Sequence, residues 1–170
     1  MFSLSNEDAA LAQLSNFAGR HLAFASYMLL RDGFLNPFGM TLTLSLWHGA
    51  TEELTELRTD DPRLISEIAE HWLLMDHKKA KFVSVAIDSY SIVDGARTAA
   101  VIVSARPRNY SASVLVFLPY AEKTDDSPVR LRAPRVDFPA ESVSLLPKRD
   151  FVLANVLKGR DSSPLSKAPI

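Results

Sequence analysis

No cysteine occurs among the 170 residues. That absence excludes disulfides, thiolate nucleophiles and cysteine-held zinc or iron–sulfur centres. Glycine is scarce, at six residues, and neither a Gly-x-Gly-x-x-Gly turn nor a Walker phosphate loop is present. The serines lack a Gly-x-Ser-x-Gly elbow, which removes the commonest framework for an activated hydroxyl. No apolar run approaches membrane-spanning length, so no membrane is expected. Neither sign of charge is in excess: the formal net charge is −1, and bulk attraction to nucleic acid is not expected. Met1 to Asn16 carries Glu7 and Asp8 where a secretory leader would need a basic region. The expectation is a cytoplasmic protein, bacterial in style.

What remains is the composition of an ordinary globular chain, 47% hydrophobic and 23% charged. It predicts one domain over residues 1–158 and a loose, serine- and proline-rich tail over 159–170. Acids dominate up to Asp76, and bases gather later, among them Arg106, Arg108, Arg130, Arg132 and Arg135. This asymmetry reads as two solvated faces of one domain.

Leu11, Leu14, Ala18, Leu22, Ala25 and Leu29 recur at three- and four-residue steps, which predicts a long helix over about Asn6 to Arg31. Ser5 or Asn6 suits its cap and Gly33 its left-handed stop. The alternation Thr41-Leu42-Thr43-Leu44-Ser45-Leu46 predicts a half-buried strand. A reversal at His48-Gly49 then leads to a return strand over Glu53–Arg58. Asp61-Pro62 opens a second helix, with Leu64, Ile65, Ile68, Trp72 and Met75 on its buried stripe, ending near Lys78-Lys79. Three strands of a meander follow, through Val83–Asp88, Thr98–Arg106 and Ser111–Tyr120. Val129 to Leu131 suits an edge strand, and Asp150 to Leu157 a short closing helix.

The order helix, hairpin, helix, three-strand meander predicts an α+β fold (α-β-β-α-β-β-β). It would be a two-layer sandwich with about five antiparallel strands, two main helices on one face and an irregular C-terminal cover. The last two meander strands are apolar on both sides, with Val101, Val103, Val114 and Val116 opposed to Ala100, Ile102, Leu115 and Phe117. The second side needs a lid from Phe138, Leu145, Leu146 and Phe151, or a second molecule, because large bare apolar patches are rare on monomers.

This order of elements resembles the roadblock and profilin-like topology, which implies docking or dimerisation. Gly33-Phe34-Leu35-Asn36-Pro37-Phe38-Gly39 and Leu115-Val116-Phe117-Leu118-Pro119-Tyr120 are similar to paired signatures of a family of small bacterial proteins with no assigned activity. Members carry an acidic residue before the hairpin glycine where this chain has His48. The resemblance implies no catalytic residue.

For chemistry, the densest ligand-type cluster is His71, Asp76 and His77. Offsets of five and six residues spread these side chains around a helix, away from a single ion. Asp88 and Asp94 suffice as strand and turn residues, and His21 as a packed one. Arg130, Arg132 and Arg135 lack the interleaved aromatics of a nucleic-acid groove. No metal, cofactor or catalytic residue is expected. The reading is an interaction module, homodimeric or bound to a protein partner, with Ile102, Leu115 and Phe117 as the candidate interface. The alternative is a small-molecule site or weak hydrolase around Phe38, His48 and Tyr120.

Overall fold

A computed structural model describes residues 5–109 and 112–170. Tyr110 and Ser111, the latter the expected start of the third meander strand, lie outside the described residues, as do Met1 to Leu4.

Helix α1 spans Asn6–Asp32. The Ser5 hydroxyl accepts from the Asp8 amide at 3.1 Å, Glu7 and Asp8 sit in the first turn, and Gly33 closes the helix at φ +82°. Leu14, Phe17, Leu22 and Leu29 on this helix are essentially inaccessible, each burial stabilising by about 1.5–3 kcal/mol. Strands β1 (Phe38–Ser45) and β2 (Gly49–Glu56) form the expected hairpin. A 3-10 turn at Pro62–Leu64, capped by the Asp61 carboxylate, leads into α2, Ile65–Leu74. That helix stops four residues before the lysines expected to end it, because Met75 turns extended. The meander is β3 (Ala80–Val93), β4 (Ala96–Pro107) and β5 (Val114–Ala121). Short strands β6 (Arg130–Leu131) and β7 (Arg135–Asp137) both pair with β5.

The α+β class and the antiparallel sheet stand, but among the described residues the sheet has seven strands in place of about five and is strongly curled, half a barrel. Its spatial order is β2-β1-β3-β4-β5-β6, with β7 also on β5. The edge strand expected at Val129–Leu131 is β6, whereas β7 lay hidden between Pro134 and Pro139. The long β3–β4 hairpin folds its Asp94-Gly95 tip toward β7, where Asp94 meets Arg135 at 3.7 Å.

Strict alternation sorts the two sheet faces. Met40, Ser84, Ala105 and Val114 are register neighbours across four strands, and all are buried. The next row, Phe38, Ala86, Val103, Val116 and Val136, continues the same core toward α1. The expected two-helix layer requires correction here, because α2 packs on the opposite face. Its Ala69 and Trp72 meet Leu57, Val85 and Ile87 in a separate apolar cluster. The physical reason is local. Gly39 has no side chain, so the Trp72 indole lies where a β-carbon would stand, 2.1 Å from its ring, and donates to the Ser84 carbonyl at 3.1 Å.

The second helix of the α1 layer is α3, Arg149–Ser162, the closing helix expected at Asp150–Leu157 extended to Ser162. Gly19 and Gly159 let the two helices touch backbone to backbone. A β-carbon on Gly19 would fall 2.0 Å from the Val156 carbonyl oxygen, and one on Gly159 2.0 Å from that of Asn16. Gly159 therefore lies inside a helix crossing, and the loose tail expected from this residue onward is corrected. The helix runs on to Ser162 and a 3-10 turn follows at Pro164–Lys167. The expected lids go to the α1 side as well: Phe138 is buried in the main core, Leu145 and Phe151 pack against it, and Leu146 is exposed.

Candidate binding surface

The β1–β2 hairpin reaches past the end of the helix layer. Leu42 is buried, but Leu44, on the same face one step farther, is more than half exposed, as is much of Leu54 across the hairpin. At the turn the Ser45 hydroxyl accepts from the Trp47 and His48 amides at 3.2 and 3.4 Å, and Gly49 takes φ +68°. This tight reversal holds Leu46 fully exposed and Trp47 90% exposed. Four large apolar side chains thus sit on one projecting ribbon.

Strand β2 is also a sheet edge: among the described residues only β1 pairs with it. The Leu57 amide donates to the Pro37 carbonyl at 2.8 Å. Because hydrogen-bonded and open positions alternate in an antiparallel pair, Thr55, Glu53 and Thr51 turn their backbone groups toward β1. Ala50, Glu52, Leu54 and Glu56 turn theirs outward. The edge is acidic, and Glu52 is tied back to Arg20 of α1.

Two hollows flank α1, the first of them beside this hairpin. One, of about 500 Å³, is bounded by Ala12, Asn16, Arg20, Leu42 and Leu44. The other, of about 640 Å³, runs toward the start of α1 over Leu11, Leu14 and Leu145. Lys81 and Phe82 line both.

The residues of the expected small-molecule site do not come together. Phe38 packs edge-on against Phe24 of α1, with ring centroids 4.9 Å apart, beside the first helix as expected. His48 stands at the hairpin tip, seven strand residues from Phe38, or about 23 Å at 3.3 Å per residue. Tyr120 lies on β5, with β3 and β4 between it and β1. Its hydroxyl donates to the Asp88 carboxylate at 2.7 Å. Burial raises Asp88 above the usual carboxylate range, while hydrogen bonds from Tyr120 and from the Leu35 and Ser89 backbones oppose that rise. Burial, and then the Asp88 bond, push the Tyr120 phenol well above its ordinary value. A phenol so hard to ionise suits a structural clamp between β5 and the Gly33–Leu35 turn better than an acid–base role.

Other expected residues scatter likewise. His77 packs its ring on Trp72 at 4.3 Å and bonds to the Trp72 carbonyl, whereas Asp76 faces Arg108 at 3.6 Å. Among the described residues no three histidines, cysteines or carboxylates gather for a metal. Asp88 and Asp94 go to different partners, Tyr120 and Arg135. His21 is wholly buried on α1 with Nδ1 2.6 Å from the Ser84 hydroxyl, and burial lowers its pKa to about 3. Arg106 is buried against the Pro107 and Met75 carbonyls, far in role from the exposed Arg130 and Arg132.

The expected interface is half-covered. Ile102 and Phe117 face each other in register, with Leu115 two pairs along on the same face, and all three are half-buried. Phe117 also borders a hollow of about 380 Å³ closed by the β3–β4 tip and Arg135. The Thr41–Leu46 alternation implies core-facing leucines, which is corrected at its end: the strand stops at Ser45, and Leu44 and Leu46 are exposed. Trp47 was not singled out from the sequence. Among the described residues no helix is long and apolar enough to cross a membrane. Compared with protein-family models, with curated proteins and with solved structures, the chain matches none.

Proposed function

We propose that this protein is an interaction module that works by protein–protein contact, presenting the β1–β2 ribbon to an extended segment of a partner. The observation that carries the reading is the open β2 edge bordered by exposed Leu44, Leu46, Trp47 and Leu54. Strand addition to such an edge supplies main-chain hydrogen bonds, with alternate side chains giving specificity. The acids Glu52, Glu53 and Glu56 select a strand that alternates basic and apolar residues. The same acids oppose self-pairing. Two β2 strands joined antiparallel about their centre would set Glu52, or Glu53, against its own copy, and like charges across a strand pair destabilise it. A homodimer would therefore use another face, and the Ile102–Phe117 pair is the expected one. The reading assigns no catalytic centre, cofactor or metal; the separation of Phe38, His48 and Tyr120 supports it.

Titration of the ¹⁵N-labelled protein with two ten-residue peptides, one alternating lysine and valine and the other glutamate and valine, tests the proposal. The lysine peptide should shift the β2 amides and the Trp47 indole, and the shifts should vanish in a Leu46→Ser, Trp47→Ser protein. Equal responses to the two peptides, or shifts confined to other strands, would refute it.

A further inference from the structure

We infer that the larger hollow beside α1 is a site for a small anionic amphiphile of the fatty-acid class, its carboxylate on Lys81 and its tail along the apolar floor. This site is separate from the hairpin edge and does not depend on the strand-addition reading. At about 640 Å³ the hollow falls within the range of small-molecule sites. Its floor is Leu11, Leu14, Phe82, Ala112 and Leu145, the first two and Phe82 belonging to the main core. The charged groups on its rim are Lys81, Arg108, Lys148 and Glu7, three cations against one acid.

Those cations are not equivalent. Lys148 bonds to the Asp8 carboxylate, and Arg108 faces Asp76. The Lys81 ammonium instead bonds to the neutral Gln13 amide oxygen and lies 5.3 Å from the Phe82 ring centroid. Exchanging the amide acceptor for a carboxylate adds the attraction of a full negative charge to a bond whose donor is already charged. A ligand with a negative head therefore gains at Lys81 what a neutral or cationic one cannot. An apolar tail then covers the floor from that anchor. The β1–β3 register shifts at this point, Leu42 opposite Phe82 and Thr43 opposite Ala80, so Lys81 is the extra residue and leaves the strict alternation. It and Phe82 thus both border the hollow, the ring in the core and the ammonium at the rim.

Calorimetry with sodium decanoate and with decyltrimethylammonium, both below their micellar concentrations, separates head from tail. Decanoate should bind saturably at one site and at least tenfold more tightly than the cation. Lys81→Gln should weaken decanoate by about tenfold, the loss of one charge-assisted bond, and leave the cation unaffected. Ala10→Trp, at an exposed α1 position on the mouth of the hollow, should abolish both; unchanged circular dichroism and melting would show that each variant is folded. No saturable decanoate binding, equal affinity for the two amphiphiles, or binding untouched by both variants would overturn the inference.

Discussion

Replacing Gly159 by alanine in the last turn of α3 should destabilise the protein, against the intrinsic preference of a helix. In an open helix this change is worth a gain of about 0.8–1.0 kcal/mol. Here the new β-carbon would lie 2.0 Å from the Asn16 carbonyl oxygen and 2.7 Å from its carbon, both backbone atoms of α1. Reaching even 3.0 Å requires the helices to part by about 1 Å, and no side-chain rotation can provide it. The crossing is flanked by Leu22, Val152 and Val156, all inaccessible to solvent, so parting the helices loosens a close-packed layer. Overpacking typically costs about 1–3 kcal/mol. With backbone on both sides we place it at the top of that range, for a net loss of about 2 kcal/mol. At about 2–4 °C per kcal/mol for a chain of this size, the Tm should fall by about 4–8 °C. Gly19→Ala meets the Val156 carbonyl in the same way, so the double variant should lose less than the sum of the two, since one separation serves both. Urea unfolding followed by circular dichroism, with the slope unchanged, measures each value. Gly159→Ala raising stability by the propensity gain would refute the backbone contact.

Three further outcomes are expected. Gly39→Ala should displace the Trp72 indole from the Ser84 carbonyl, costing about 1–3 kcal/mol and moving tryptophan emission to the red; unchanged emission would place α2 elsewhere. His21 has its pKa lowered by burial to about 3, so the unfolded chain binds a proton near pH 6.5 that the folded one refuses. Its stabilising contribution is complete above pH 6.5 and is lost as pH falls toward 3, at about 1.4 kcal/mol per unit between. From pH 6.5 to 5 the wild type should thus lose about 2 kcal/mol more than a His21→Leu variant, measured by urea unfolding at both values. Tyr120→Phe should cost about 1–3 kcal/mol by leaving the half-buried Asp88 carboxylate short of a donor. It should also raise the Asp88 pKa further, which carboxyl ¹³C titration reads directly.

The parts of the fold with strong local periodicity were legible. The leucine stripe and Gly33 mark α1, and the Thr41–Leu46 alternation marks β1, because each pattern matches the geometry of a single element. The side of the sheet on which α2 packs was not legible, since its apolar stripe fits either face equally well. The choice rests on Gly39 leaving room for Trp72, a contact between residues 33 positions apart. The reach of α3 was obscured because residues 159–170, rich in serine and proline, read as a loose tail, whereas Gly159 admits α1 to a helix crossing. The alternation at Val129–Leu131 marked β6, but β7 is three residues long, too short for any period to register. For the site, the doubly apolar meander drew attention to Ile102, Leu115 and Phe117. The larger exposed apolar surface lies instead on the first hairpin, because alternation tells which face a leucine takes and not whether a helix extends far enough to cover it.

Backbone hydrogen exchange along β2, with and without the lysine–valine peptide, tests most directly whether this edge receives a strand. The amides of Ala50, Glu52 and Leu54 point away from β1 and should slow by tenfold or more on binding, while those of Thr51, Glu53 and Thr55, already bonded inward, should change little. Uniform slowing along the strand, or no change at the outward amides, would contradict strand addition at this edge.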